Sequence, residues 1–161
     1  MADHLAGRYG AGVLLVGSEE DEELAEEIRR AVHHPVTDLT GRLGLRQTAA
    51  VLQASHLFIG NDSGPTHMAE AVGTPVVAIF GPTDPVNFRP LLEAHRVVRR
   101  DVCGPCIHWL EAGHLYLHAF RDPTCTFDCI RQVTVEDVLA AAEPLLEQSL
   151  ARSGAAILKG S

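Results

Sequence analysis

Lysine is almost absent from this chain: the only one is Lys159, close to the C-terminus. A phosphate loop that relies on a lysine is therefore excluded from the body of the sequence. Positive charge is scarce in general, with 13 Lys and Arg against 21 Asp and Glu and a net charge of −8. A generic nucleic-acid binder needs a basic footprint to displace counterions, and this chain offers none. Long apolar runs are lacking too. Near the start the longest is Val13-Leu14-Leu15-Val16, far short of the roughly 20 residues of a membrane-spanning helix. No basic-then-apolar leader opens the chain, which makes the cytosol the expected compartment. What is present is ordinary for a globular domain: 161 residues, 46% hydrophobic and 5% aromatic. A domain of that length buries roughly 68–70% of its unfolded surface.

Short apolar runs alternate with amphipathic segments. The patterning predicts a helix over 3–8, ended by Gly10 and Gly12, then a buried strand at 13–16. A helix over 19–33 follows, with Leu24, Ile28 and Val32 on one face. Seven of its first nine residues are acidic, which reads as a solvated face favouring the helix N-terminus. Further strands are expected at 36–39, 56–59, 75–80 and 96–99. Helices are expected at 45–54, with Leu45, Ala49 and Leu52 on one side, and at 65–72. A closing helix over 134–150 is expected, with Thr134 and Asp137 as a capping pair. Such alternation implies an α/β domain with a parallel sheet covered on both faces. It spans 1–150, carries a cysteine-containing loop at 101–130, and leaves 151–161 as a frayed tail.

The chemistry concentrates in Asn61-Asp62-Ser63-Gly64-Pro65-Thr66-His67-Met68-Ala69, between a strand and a helix. Ligands of open parallel sheets bind at the carboxyl ends of strands. Asp62 or Ser63 is placed to cap the helix, and Pro65 suits its first turn. Gly64 removes a side chain where a ligand approaches the backbone. Free amides at that helix end make an anion site without a lysine. Spacing alone is equally consistent with a capped helix that binds nothing.

A resemblance extends this reading. Leu39-Thr40-Gly41-Arg42 with Leu45, the segment 61–69, Ala71-Val72-Gly73-Thr74-Pro75 and Phe80-Gly81-Pro82-Thr83-Asp84-Pro85 together resemble the C-terminal domain of family 9 glycosyltransferases. These are the bacterial heptosyltransferases of lipopolysaccharide core assembly. The resemblance implies the Rossmann-like, donor-binding half of a GT-B fold. It also implies transfer of a sugar from an ADP-heptose-type donor to a lipid-linked core saccharide, at the inner face of the inner membrane. Amides of Ser63, Gly64 and Thr66 would hold the donor diphosphate. Asp62 would accept from sugar hydroxyls, and His67 would donate to a phosphate oxygen. Leu43 matches the position whose backbone reads the adenine edge. An acid near Glu20 matches the ribose position, with Glu19, Glu20 and Asp21 not separable. Thr83 and Asp84 either touch the sugar or shape a turn. The acceptor site and the catalytic carboxylate are expected in a separate N-terminal domain, so no catalytic residue is assigned here. A non-catalytic nucleotide-sugar module is the alternative. The first strand of the domain is expected to be absent. Either the 13–16 strand then pairs directly with the 57–59 strand, or a partner chain fills the space between them.

All four cysteines, Cys103, Cys106, Cys125 and Cys129, lie in the last third. Cys103-Gly104-Pro105-Cys106 has the letters of a thioredoxin site but not its early strand-to-helix context. The C-x2-C and C-x3-C spacing also suits a structural zinc, with His108, His114 or His118 as substitute ligands. Packing as reduced thiols is the equal alternative. The transfer itself is expected to need no cofactor.

Overall fold

The computed structural model describes residues 1–103, 105–109, 115–117 and 124–154. It opens with α1 (Ala2–Tyr9), closed by Gly10 in the left-handed region at φ 63°. Next come β1 (Val13–Leu15), a 3-10 turn at Glu19–Asp21, α2 (Glu22–Ala31) and β2 (Val36–Asp38). The acidic run thus forms two elements where one helix was expected. The Asp21 carboxylate accepts from the Ser18 amide at 2.8 Å and its hydroxyl at 2.9 Å, which starts the turn one residue after Gly17. α3 (Leu45–Gln53), β3 (Phe58–Asn61), α4 (Gly64–Ala71), β4 (Val76–Ile79), α5 (Pro85–Phe88) and β5 (His95–Val98) follow.

β4 is the centre of the larger sheet, paired in parallel with β3 on one side and β5 on the other. Its unbroken apolar run reflects burial on both faces. Val76, Ala78 and Phe80 meet Leu52 of α3 and Ala69 of α4. Val77, on the opposite face, meets Val138, Ala142 and Leu145 of α7 (Val135–Ser153). α1 lies beside α7, where Leu5, Tyr9 and Leu146 pack together with Leu57 and Ile59. The result is a three-layer α/β domain. Thr134 opens α7 as expected, its hydroxyl accepting from the Asp137 amide at 3.2 Å.

Three expectations are corrected. β1 pairs only with β2, as a separate two-stranded parallel sheet, so the direct pairing of the 13–16 and 57–59 strands does not occur. Leu24 and Leu45 were assigned to apolar helix faces yet are 57% and 78% exposed. Ala25 and Leu52 take the buried positions of those helices. The cysteine-containing loop expected at 101–130 carries regular structure. It contains an antiparallel pair, β6 (Ile107–Trp109) with β7 (Leu115–Leu117), and α6 (Asp128–Arg131). The expected frayed tail lies outside the described residues beyond 154, and α7 continues to Ser153.

Candidate functional site

β3 delivers the loop Asp62-Ser63 to the N-terminus of α4. Ser63 is the N-cap by backbone conformation, at φ −159° and ψ 173°. Its hydroxyl does not cap the helix; it donates back to the Asn61 carbonyl at 3.2 Å. The Ser63 and Gly64 amides donate to no backbone acceptor, so two polarised N–H groups stay available at the positive end of α4. A Cβ built at Gly64 would meet nothing within 4 Å. The space above those amides is open.

Thr66 departs from its expected part. It is fully buried, its hydroxyl donates to the Asn61 carbonyl, and its amide donates to Ser63 O at 3.1 Å. With both donors engaged inside the loop, Thr66 has neither left to offer a ligand. Asp62 and His67 do come together: His67 Nε2 lies 3.3 Å from Asp62 Oδ1. The imidazole is half exposed at 47% while the carboxylate is 12% exposed, so a ligand reaches the ring first.

Two residues that the sequence reading missed stand behind His67. The Glu70 carboxylate is 4.0 Å from His67 Nδ1 and 3.9 Å from His95 Nε2. It also accepts from the Leu91 and Leu92 amides. Glu70 was detectable in principle, because i and i+3 share a helix face. His95 was not, since its role depends on strand pairing. His95 is buried, and its Nδ1 accepts from the Val76 amide at 3.1 Å. That places its ring proton on Nε2, which has no hydrogen-bond partner. Burial pulls the His95 pKa down, against the raising effect of Glu70.

The loops after β1 and β2 run side by side. The Gly41 amide donates to Gly17 O at 3.1 Å. Gly41 sits at φ +70°, and a Cβ there would lie 2.6 Å from Glu22 Oε1 and 3.3 Å from Glu19 Cα. Leu43 and Glu20 therefore occupy neighbouring loops at the carboxyl ends of their strands. Asp21 separates from the other two candidate acids: Ser18 engages it, which lowers its pKa, whereas Glu19 and Glu20 are both exposed on the turn. Asp84 caps α5, accepting from the Val86 amide at 2.9 Å and Asn87 Nδ2 at 2.7 Å, so it shapes the turn.

Cys103 is exposed and Cys129 buried, with Cys106 and Cys125 between; none of the four is in a disulfide. Burial pushes the Cys129 thiol up, and the charges of Cys103, Cys106 and Cys125 with a Cys103 hydrogen bond push it the same way. A hydrogen bond thus joins Cys103 to Cys129. Among the described residues, however, no group of three or more His, Cys, Asp or Glu is arranged to take a metal ion. The side chains of His108, His114 and His118 lie outside the described residues.

The profile of glycosyltransferase family 9 (heptosyltransferase) matches residues 3–115. Lipopolysaccharide heptosyltransferase 3 of Escherichia coli (strain K12) is 34% identical over 152 residues, covering 91% of this chain and 40% of that protein. The glycosyltransferase family 9 structure from Veillonella parvula DSM 2008 superposes with a TM-score of 0.73 at 26% identity, over 91% of this chain and 39% of its own. The structure of E. coli ADP-heptose lps heptosyltransferase II gives 0.66 at 28% identity, over 85% and 37%. The chain thus spans about 40% of the length of these relatives. No helix among the described residues is long and apolar enough to cross a membrane.

Proposed function

The chain belongs to glycosyltransferase family 9, and from that premise we propose that it is the donor-binding half of a heptosyltransferase. The donor is a nucleotide sugar of the ADP-heptose type. The observation that carries this reading is the open N-terminus of α4, where the Ser63 and Gly64 amides stand free beside the Asp62–His67 pair. Two helix-end amides suit a diphosphate. His67, facing solvent from the first turn, donates to a phosphate oxygen as the bond from the anomeric carbon to that oxygen breaks. It thereby stabilises the departing nucleoside diphosphate. Asp62 accepts from sugar hydroxyls and orients His67. Glu20 takes the ribose hydroxyls, and the backbone at Leu43 reads the adenine edge.

The acceptor, a lipid-linked core saccharide at the inner face of the inner membrane, belongs to the part of the enzyme these residues do not span. So does the catalytic carboxylate, and the transfer calls for no cofactor. Calorimetry with ADP-heptose, ADP and UDP tests the proposal. Binding selective for the two adenine ligands, weakened in Asp62→Ala and His67→Ala, is expected. Equal binding of UDP, or none of any ligand, overturns it. Binding without turnover would favour the non-catalytic module.

A structural zinc at Cys103, Cys106, Cys125 and Cys129 is a separate proposal, which rests on the C-x2-C and C-x3-C spacing of the sequence. The metal would replace the thiol protons and staple the segment from 103 to 129. Protein purified without a histidine tag should carry about one equivalent of zinc; less than about a tenth ends the idea.

A further inference from the structure

His67 has an acid at each ring nitrogen. Asp62 Oδ1, from the loop after β3, lies 3.3 Å from Nε2, and Glu70 Oε2, one turn on in α4, lies 4.0 Å from Nδ1. Among the described residues these are the acidic groups within 4.0 Å of the ring nitrogens. Donor binding as described above uses Asp62 and gives Glu70 no part. Yet Glu70 is held in place from two other elements. Its Oε1 accepts from the Leu91 and Leu92 amides, after α5, and lies 3.9 Å from His95 Nε2 of β5. His95 is fixed in turn from β4, where the Val76 amide donates to its Nδ1 at 3.1 Å. Burial favours the neutral ring of His95, so its one proton is on Nε2, facing the carboxylate. Two amides and a ring N–H thus fix one oxygen of Glu70 and leave the other, Oε2, turned to His67.

We propose that Glu70, anchored by His95 and the Leu91 and Leu92 amides, is a positioning residue of the donor site: it holds His67 by Nδ1–H while Nε2–H turns from Asp62 to the donor diphosphate. The inference rests on the donor-binding reading given above. At 4.0 Å the Glu70 contact is longer than a hydrogen bond. The half-exposed ring closes that distance as Nε2 leaves Asp62, whose carboxylate then turns to the sugar hydroxyls.

The arrangement sets the charge of the ring in the donor complex. A neutral imidazole has one N–H. If that proton serves the phosphate from Nε2, Nδ1 turns a lone pair to the Glu70 carboxylate. If it serves Glu70, no donor remains for the phosphate. Only the ring with both protons satisfies the two anions at once, so His67 binds the diphosphate as an imidazolium. A ring that is neutral beforehand takes its second proton from solvent. The cation adds a whole positive charge to a site built on helix-end amides, in a chain whose one lysine is Lys159. Charge-assisted hydrogen bonds are roughly twice as strong as neutral ones. His95 faces Glu70, not His67, and contributes by fixing the carboxylate.

Calorimetry with ADP-heptose from pH 6 to pH 8.5 tests this, because each phosphate of that ligand has a single, strongly acidic proton and does not titrate there. Wild type should bind about fivefold tighter at pH 6 than at pH 8.5, and His67→Ala should show no such change. Glu70→Gln keeps an oxygen for the Leu91 and Leu92 amides but loses the charge. It should weaken binding about fivefold at pH 6, match wild type at pH 8.5, and have no effect in the His67→Ala background. A carboxylate that merely stood near the diphosphate acts in the opposite sense, since its removal tightens binding. Ring-nitrogen NMR of the wild-type complex at pH 6 should find both His67 nitrogens protonated, a readout that holds even if Glu70→Gln fails to fold. A single protonated nitrogen overturns the proposal and leaves donor binding standing. So do a flat wild-type pH profile, unchanged or tighter binding by Glu70→Gln at pH 6, and an equal loss without His67. No binding of ADP-heptose by wild type overturns the donor-binding reading, and this inference with it.

Discussion

Gly64 allows binding and folding to be pulled apart. Its backbone lies outside the left-handed region, and a Cβ there would meet nothing within 4 Å. Replacing it by valine meets no other part of the fold and gains from the poor helix propensity of glycine, offset by the crowding that Pro65 imposes on a preceding residue with a Cβ in helical backbone, a net change in stability of about 1 kcal/mol or less. Two isopropyl methyl groups would occupy the open space above the Ser63 and Gly64 amides. A hydrogen bond to a charged group contributes about 1.5–3 kcal/mol. Loss of both amide contacts then costs at least about 3 kcal/mol, about two orders of magnitude in Kd for ADP. Alanine, smaller by two methyls, should cost less. Thermal unfolding and calorimetry on wild type, Gly64→Ala and Gly64→Val measure the two effects. Gly64→Val binding ADP within about threefold of wild type would refute the placement of the diphosphate. A Tm lowered by more than about 5 °C would refute the claim that the glycine serves a ligand rather than the fold.

Other perturbations follow from the same geometry. Gly41→Ala forces a side chain into the left-handed region and against Glu22 and Glu19; a loss of about 1 kcal/mol or more is expected in urea titration. Leu52→Ala empties a site that is 2% exposed between α3 and β4, and should cost about 2–5 kcal/mol with the denaturant slope unchanged. The carboxyls of Asp3, Asp21, Asp38 and Asp137 are all held below their ordinary range by hydrogen bonds, chiefly from His33, Ser18, Thr40 and Thr134. Because these folded-state pKa values are depressed, their stabilisation is present above pH 4 and is lost as pH falls below it. Unfolding midpoints measured from pH 6 down to pH 2 should decline through that window, and Asp137→Asn should flatten part of the decline.

Much of this domain could be read from the chain, for local reasons. The capping pair of Thr134 and Asp137, the positive-φ turn at Gly10 and the alternation of apolar runs with amphipathic segments depend on neighbours within a few residues. The loop from Asp62 to His67 was legible for the same reason, since a strand end, an N-cap and a helix start are consecutive. Thr66 shows where that reasoning stops. Its type and position fit a ligand contact, but its hydroxyl reaches the Asn61 carbonyl five residues back and is buried there. Asp21 could be told from Glu19 and Glu20 only once Ser18 was seen to engage it.

The sequence by itself determined the order of elements, the parallel α/β class and the strand-to-helix loop at Asp62–His67. Hydrophobic period, caps and glycines act over one or two turns of chain. Tertiary structure decided which leucines of α2 and α3 stay exposed, that Glu70 and His95 stand behind His67, and that β1 and β3 do not pair. Those outcomes depend on what lies across the sheet, where contacts join residues far apart in the chain and no local pattern records them. The scarcity of lysine shows both levels at once. It excluded one kind of phosphate site in advance, and the fold leaves the amides of Ser63 and Gly64 without a backbone acceptor, where we propose the donor diphosphate is held.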